Sequence, residues 1–245
     1  MTNEHTTDGT IWVVKTGRTL PALRRQGDFE DWIGAGLGRA PWRTVDATAG
    51  PASLPKPAHP AGIVVTGSPA MVSHREPWSE AAADWLAQAA GKDIPILGIC
   101  YGHQLLAHGL GGHAGPNPRG REIGTVGVER LAPCADDPLF APVPERFAAH
   151  VTHEESVLEL PEGAVILAAN GHDAHQAFRW GRHAWGVQFH PEFDTAITRG
   201  YIFHRRPDLR REGFDPRALY RQVAATPEAT ALLDRFAAYV TSRAR

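Results

Sequence analysis

The stretch PILGICYGHQLLAHGLGG, residues 95–112, contains the clearest fold signal in this chain of 245 residues. A short, nearly continuous apolar run leads into apolar residues at helical spacing, which predicts a buried strand followed directly by a helix. Gly98 and Gly102 lie two positions to either side of Cys100. Glycines at these positions permit a tight strand-to-helix turn, so we predict that Cys100 projects into the open at the helix N-terminus.

A cysteine in such a turn has the surroundings of a nucleophile. The N-terminus of a helix stabilises a thiolate, and the backbone N–H of the following residue, Tyr101, is free to bind a developing oxyanion. The usual alternative is a small, buried and inert cysteine. We interpret Cys134 in that way, because its APCADD context has neither the glycines nor the strand. For Cys100 the flanking glycines favour the nucleophile.

The rest of the chain alternates between apolar runs and amphipathic helical patterns. In the first half, the predicted strands are residues 11–14, 62–66 and 94–99, and the predicted helices are residues 27–38, 78–90 and 103–110. This alternation predicts an α/β fold with a central, mostly parallel sheet flanked by helices. A small antiparallel extension is predicted by shorter strand-like runs at residues 123–131, 147–151, 165–169, 176–178 and 184–189.

We expect one domain over residues 11–243, preceded by a disordered tail at residues 1–10. Residues 49–61 are rich in proline and small residues, and this composition predicts a loop. The chain from about residue 205 to residue 243 is predicted to form a helical C-terminal extension.

The composition limits which partners the protein can bind and which cellular compartment it can occupy. A formal net charge of −2 leaves no surplus of basic residues for binding phosphates, so we expect no nucleic-acid partner. Two cysteines in a chain this long do not make a disulfide framework, which favours a reducing compartment. The first residues lack a secretory signal and no long apolar run is present, so we expect a cytoplasmic protein with no membrane contact.

A cysteine nucleophile also needs a group that donates a proton to the leaving amine and later activates water, and histidine suits both tasks. In GVQFHPEF, residues 186–193, His190 ends an apolar strand and Glu192 follows two residues later. This spacing in an extended segment puts both side chains on the same side of the chain, so Glu192 is placed to orient the imidazole. Such a pair alone is more often an ordinary surface contact, but together with the cysteine turn it predicts a Cys100, His190 and Glu192 triad.

Two further histidine pairs have the spacing of metal ligands, namely His150 with His153 and His172 with His175. Acidic residues lie beside both pairs, but no cysteine or further histidine completes a zinc-binding spacing. We therefore expect no metal, and no sequence feature calls for a cofactor.

GICYGHQ, followed ninety residues later by FHPEF, resembles the class I glutamine amidotransferases, and most closely the amidotransferase domain of GMP synthases. The resemblance implies a flavodoxin-like fold. It also implies a reaction in which the cysteine attacks the carboxamide of glutamine, ammonia leaves, and water hydrolyses the γ-glutamyl thioester. By this resemblance Cys100 is the nucleophile, His190 the acid and base, and Glu192 its orienting partner.

Other positions are carried over individually. Gln104 matches a family glutamine that contacts the γ-glutamyl substrate. Thr66-Gly67-Ser68-Pro69 resembles the family's Gly-Gly-Pro loop, which implies that Gly67 and Ser68 complete the oxyanion hole with Tyr101. Ser68 stands where a second glycine is usual, and serine tolerates positive φ less well than glycine.

The segment from Val151 to Val157 is similar to a Ser-His-Gly-Asp stretch of the substrate pocket in GMP synthases. The similarity implies that Glu155 faces the ammonium of the substrate and that Ser156 holds its amino-acid end. A solvated acidic turn is an equally good interpretation of these residues.

GMP synthases continue into an ATP-pyrophosphatase domain with a glycine-rich phosphate loop, and this sequence has no comparable segment. We therefore expect similarity to the stand-alone GMP-synthase-like amidotransferases, a group that includes plant γ-glutamyl peptidases. Three hypotheses remain: a glutaminase or other hydrolase of a small γ-glutamyl substrate, an ammonia-donating subunit for a separate synthetase, and a non-catalytic regulatory protein. The intact triad argues against the third.

Overall fold

A computed structural model describes residues 9–55 and 60–243 of the chain. Most of the expected N-terminal tail, residues 1–8, and part of the expected loop, residues 56–59, lie outside the described residues. The strands are β1 Ile11–Lys15, β2 Trp42–Asp46, β3 Gly62–Val65, β4 Ile96–Ile99, β5 His113–Pro116, β6 Glu122–Arg130, β7 Arg146–His153, β8 Glu155–Glu159, β9 Val165–Ala169, β10 Ala177–Trp180 and β11 Ala184–Val187. The helices are α1 Phe29–Gly36, α2 Pro77–Ala90, α3 Tyr101–Gly109, α4 Thr195–Arg211, α5 Pro216–Gln222 and α6 Pro227–Arg243.

Nine strands form one sheet in the order β2-β1-β3-β4-β11-β10-β9-β6-β7. The first five are parallel to one another, and the remaining pairings are antiparallel. β5 and β8 pair separately. The parallel part has the strand order of flavodoxin-like folds. The predicted α/β class, with a parallel sheet and an antiparallel extension, is confirmed.

Helices cover both faces of the parallel strands. On one face, Val13, Val64 and Leu97 pack with residues of α1 and α6, including Phe236. On the other face, alternate strand residues such as Val65 pack against α2 and α3. Burial on both faces explains why these strands have continuous apolar sequences.

Three features of the fold were missing from the sequence prediction. β2 is an edge strand whose first three residues are exposed, so its WRTVD sequence lacks an apolar signal. β5 and β8 are short and form their own sheet. α4 begins at Thr195, about ten residues before the predicted C-terminal extension. This start was missed because the Arg-rich sequence of α4 has only a weak helical periodicity. The predicted division into domains stays a prediction.

The strand order also determines where polar groups collect. β1, β3, β4 and β11 are parallel neighbours, so their carboxyl ends meet at one edge of the sheet. In open α/β sheets, ligands bind outside the carboxyl ends of the strands. The chain leaves these four ends at Thr16, Thr66, Cys100 and Gln188.

Asp28 anchors the segment between β1 and α1, and its replacement tests this anchor. Its Oδ1 accepts hydrogen bonds from the backbone N–H of Thr19 (2.7 Å) and of Phe29 (2.9 Å), in a capping box with Asp31. Its Oδ2 lies 3.3 Å from Nζ of the buried Lys15. We expect Asp28→Ala to lower the free energy of unfolding by about 2–4 kcal/mol, measured by urea denaturation.

Asp46→Ala is the matched control for this variant. Asp46 also caps a helical turn, but its hydrogen bonds to Thr48 are exposed to solvent. We expect a loss of about 0.5–1 kcal/mol. Equal losses for the two variants would contradict the anchoring role of Asp28.

Candidate active site

Cys100 occupies a strained turn between β4 and α3. Its backbone has φ 51° and ψ −100°, which a non-glycine residue rarely adopts and which costs about 1–3 kcal/mol. A Cβ on Gly98 would lie 2.3 Å from the carbonyl oxygen of Gly102, and a Cβ on Gly102 would lie 2.5 Å from that of Val65. Both glycines are therefore required, and the turn has the form of a nucleophile elbow.

The Cys100 side chain does not reach the open surface as expected, because only 6% of the residue is exposed. It lies where two cavities adjoin. The His190 cavity, of about 170 Å³, is lined by residues that include Arg18, Arg24, Cys100, Thr152, His190 and Arg205. The Glu155 cavity, of about 100 Å³, is lined by residues that include Ser68, Cys100, Tyr101, Gln104, Thr152, Glu155 and Arg205.

His190 and Glu192 form a buried pair next to Cys100. The Nδ1 atom of His190 is 2.7 Å from Oε1 of Glu192, and both side chains are at most 2% exposed. The backbone N–H of His190 donates to the carbonyl of His150, which holds the end of β11 in place. The Nε2 atom of His190 is buried, and in the described part of the chain no acceptor lies within hydrogen-bond geometry of it, although the neighbouring Cys100 side chain contributes to the raised pKa of His190. This nitrogen is therefore available for proton transfer on the side of the cavity.

The charges around His190 decide its protonation. Burial alone would lower the pKa of His190, but the carboxylate of Glu192 and the thiolate form of Cys100 outweigh burial and raise this pKa to about 10. At neutral pH the site therefore holds an imidazolium between two potential anions.

An aromatic stack fixes the plane of the imidazole. The Phe193 ring is nearly parallel to it with centroids 4.0 Å apart, and Phe29 is parallel at 6.2 Å. Tyr201 of α4 stacks in turn on Phe193 at 5.1 Å. These rings were not predicted from the sequence to be part of the site, although Phe193 belongs to the FHPEF motif.

The oxyanion hole expected at Tyr101, Gly67 and Ser68 stays a prediction, and the backbone amides of these residues have no recorded acceptor among the described residues. Tyr101 is the first residue of α3, so its N–H has no acceptor within the helix. In the part of the chain that the structure describes, the N–H groups of Gly67 and Ser68 have no protein acceptor. The φ of Ser68 is not positive, so the strain expected for serine does not arise.

The Ser68 side chain ties the loop after β3 to the loop after β1. Its Oγ donates to the carbonyl of Thr16 at 2.7 Å and accepts from the N–H of Ala70 at 3.1 Å. We expect Ser68→Ala to reduce kcat/KM for the reaction at Cys100 by about tenfold, less than the 10²–10³ typical of losing an oxyanion donor outright. Ser242→Ala, at an exposed serine near the end of α6 that lines neither cavity, should change it less than twofold. A loss for Ser242 as large as for Ser68 would contradict this role.

The structure brings Gln104 and Glu155 to Cys100, but not Ser156. Gln104 Nε2 donates to the carbonyl of Glu155 (2.7 Å) and to Gln188 Oε1 (3.0 Å), so this side chain is held against the cavity. The Glu155 carboxylate accepts one hydrogen bond, from the N–H of Ser73, and the residue is 3% exposed. Ser156 Oγ instead accepts from Asn117 and lines a separate cavity, because neighbouring residues of β8 face opposite sides.

Arg121, Thr152 and Arg205 line the site but were not among the residues predicted from the sequence. Arg121 makes a two-pronged pair with Glu212, at 2.8 and 3.0 Å, and contacts Glu154 at 2.6 Å. Thr152 has a buried Oγ1 with no hydrogen-bond partner among the described residues. Arg205 of α4 lines both cavities, and its nearest carboxylate, Glu154, is 3.8 Å away. Thr152 lies inside the stretch of residues 151–157 already singled out, but no sequence pattern points to the arginines.

Both histidine pairs have structural contacts. His153 Nε2 lies 3.0 Å from Glu122 Oε2. His172 and His175 donate to backbone carbonyls. His150 Nδ1 is 3.2 Å from the Thr125 hydroxyl. Among residues 9–55 and 60–243, no group of three or more potential ligands is placed to hold a metal ion.

Cys134 is enclosed in the core. It is 0% exposed, and its thiol donates to the carbonyl of Leu167 at 3.0 Å. Burial raises the pKa of the Cys134 thiol to about 11. These surroundings match the inert role interpreted from its sequence context.

A model of the glutamine amidotransferase class-I family matches residues 41–205, which is more than half of the chain. The chain belongs to this family. The prediction of an enzyme of the class I glutamine amidotransferase type is thereby confirmed, and the matched region contains Cys100, His190 and Glu192.

Curated relatives are glutamine-hydrolysing GMP synthases. That of Thermomicrobium roseum is 39% identical over 149 residues, covering 59% of this chain and 26% of the relative. That of Thermosipho africanus is 36% identical over 135 residues, covering 55% of this chain and 24% of the relative. The match thus spans about a quarter of the length of these relatives.

Solved structures of similar fold extend over nearly the whole chain. A glutamine amidotransferase from Thermotoga maritima superposes with a TM-score of 0.74 at 22% identity, covering 95% of this chain and 98% of that one. One from Methylobacillus flagellatus gives 0.72 at 22% identity, with 96% and 93% covered. This likeness confirms the fold. In the described part of the amidotransferase chain, no helix is long and apolar enough to cross a membrane.

Proposed function

We propose that this amidotransferase hydrolyses the γ-amide of glutamine or of a related γ-glutamyl compound through a thioester on Cys100. One observation carries the proposal: Cys100 in its strained turn, His190 with Glu192 behind it, and Glu155 are brought together, and Cys100, His190 and Glu155 line two adjoining cavities. This arrangement combines a nucleophile, a proton donor and an anionic group for a substrate ammonium.

The reaction follows from these positions. The Cys100 thiolate attacks the γ-carbonyl carbon, and the oxygen gains negative charge that the free amides of Tyr101, Gly67 and Ser68 stabilise. The C–N bond breaks as the His190 imidazolium donates its proton to the leaving amine. Neutral His190 then takes a proton from water, whose oxygen attacks the thioester and releases glutamate with the Cys100 thiolate.

The acyl side of the substrate fits the Glu155 cavity. The Glu155 carboxylate is buried and has one donor, so its remaining lone pairs can accept from an ammonium group. Arg121 forms close ion pairs with the carboxylates of Glu154 and Glu212, at N–O distances of 2.6 and 2.8 Å. The Arg205 guanidinium lies farther from a carboxylate, with an N–O distance of 3.8 Å to Glu154. Arg205 is therefore the cation that we assign to the substrate's α-carboxylate.

The test is to capture the thioester. Purified protein is mixed with glutamine, quenched in acid and digested, and the peptide containing Cys100 is examined by mass spectrometry for a γ-glutamyl adduct. Glutamate and ammonia are measured in parallel and should appear in equal amounts. Release of glutamate from no γ-glutamyl amide, by a protein that is folded, would overturn the proposal.

A second candidate is an ammonia-donating subunit for a separate synthetase. It is favoured by the GMP synthase relatives, in which the matching region is about a quarter of a longer chain. In that case the isolated protein should turn over slowly. A kcat/KM for glutamine alone within the ordinary enzyme range of about 10⁴–10⁸ M⁻¹s⁻¹ would argue against a required partner.

A further inference from the structure

The His190 cavity is larger than the release of ammonia requires. Its volume is about 170 Å³. A water molecule, which is close to ammonia in size, needs only about 10–15 Å³ of cavity volume measured in the same way. If ammonia were the sole leaving group, most of this cavity would have no function in the proposed reaction.

This cavity lies on the side from which the amine departs. His190 lines it, whereas Gln104 and Glu155 line the adjoining Glu155 cavity. A general acid must lie beside the nitrogen that it protonates. Given the proposed function, the acyl group therefore occupies the Glu155 cavity and the amine the His190 cavity.

The lining of the His190 cavity indicates an anionic amine. Arg18 and Arg24 line this cavity and not the other, Arg205 lines both, and no carboxylate borders it. The apolar part of the cavity wall is formed by Leu20, Pro21 and Phe29. A pocket lined by three arginines, with no acidic residue among its described lining residues, favours a ligand that carries a carboxylate.

The segment that bears these arginines is held in place. The Thr19 N–H donates to Asp28 at 2.7 Å, and the Thr19 hydroxyl is 2.8 Å from that of Tyr201 in α4. Arg24 Nε donates to the Thr19 carbonyl at 3.4 Å. A pre-ordered pocket binds its ligand with less loss of conformational entropy.

We propose that the leaving amine is an α-amino acid or short peptide whose carboxylate is bound by Arg18 and Arg24, so that the substrates include γ-glutamyl amino acids and peptides. The amide C–N bond breaks, the C–S bond of the thioester forms, and the proton of His190 passes to the α-amino nitrogen of the departing residue. This inference rests on the proposed function and specifies its substrate class.

The experiment compares substrates that share one acyl group. These are glutamine, γ-glutamyl-alanine and γ-glutamyl-alaninamide, of which the last replaces only the carboxylate. For the wild-type protein we expect kcat/KM for γ-glutamyl-alanine to exceed that for the alaninamide by about 10- to 100-fold, as a charge-assisted contact predicts. In an Arg18→Met, Arg24→Met double variant the ratio should fall to about 1–3.

Arg25→Met is the control, because Arg25 is exposed on the same short helical turn as Arg24 and lines neither cavity. It should keep the wild-type ratio. Hydrolysis of glutamine with no preference for the carboxylate substrate would overturn the inference and leave the proposed function standing. A ratio lost equally in Arg25→Met would overturn it too, and hydrolysis of none of the three would overturn both proposals.

Discussion

Replacing Cys100 with alanine is expected to slow γ-glutamyl hydrolysis by about 10⁴- to 10⁶-fold, because no other group at the site can form the covalent intermediate. The measurement is glutamate release under substrate saturation, together with the thioester adduct on the Cys100 peptide. Both should be lost. The variant should remain folded, because a small side chain replaces another in the same turn.

Cys134→Ala is the matched control for this loss. Cys134 is buried in the core away from both cavities, so its replacement should cost about 1–2 kcal/mol of stability and leave turnover within about twofold. A Cys100→Ala variant that retains more than a few per cent of wild-type turnover would show that the reaction does not use this thiol.

Replacing Glu192 with glutamine is expected to lower kcat by about 10²- to 10⁴-fold while leaving the fold intact. The side chain keeps its size but loses the charge that holds His190 protonated and oriented. Glutamine can also present its amide N–H to Nδ1, which favours the wrong tautomer. Rates are compared with those of Glu129→Gln, an exposed position on β6 that should behave as wild type.

The Glu192→Gln variant should also change the pH dependence of kcat/KM. Because the pKa of His190 is raised to about 10, the imidazolium persists throughout the neutral range and is lost only as pH rises through that value. The wild-type kcat/KM should therefore fall only above about pH 9. Removing the Glu192 charge removes one cause of the raised pKa, so the alkaline limb should move to lower pH. An alkaline limb at the same pH in both proteins would contradict this assignment.

The sequence was sufficient for the parts of the site that depend on local geometry. Gly98 and Gly102 predict the Cys100 turn, because a Cβ atom at either position would clash with a neighbouring backbone carbonyl oxygen. The two-residue spacing of His190 and Glu192 predicts their contact because short extended segments have fixed side-chain directions.

Other parts depend on long-range packing, which no local pattern records. Arg205 reaches the site because α4 folds back over the cleft, and α4 itself has a weak helical signal. Ser156 was expected at the site because its segment resembles a substrate-pocket stretch of GMP synthases, but strand alternation turns its side chain toward a separate cavity. The strain expected at Ser68 depended on a backbone angle that the sequence does not specify.

The burial of Cys134 has a consequence for chemical modification. Cys100 and Cys134 are the cysteines of this chain, and Cys134 is enclosed, hydrogen-bonded and kept in its neutral thiol form. An alkylating reagent small enough to enter the cleft therefore has a single reactive target in the folded protein. The moles of reagent incorporated per mole of chain count the correctly folded sites in a preparation, so that rates can be expressed per competent molecule.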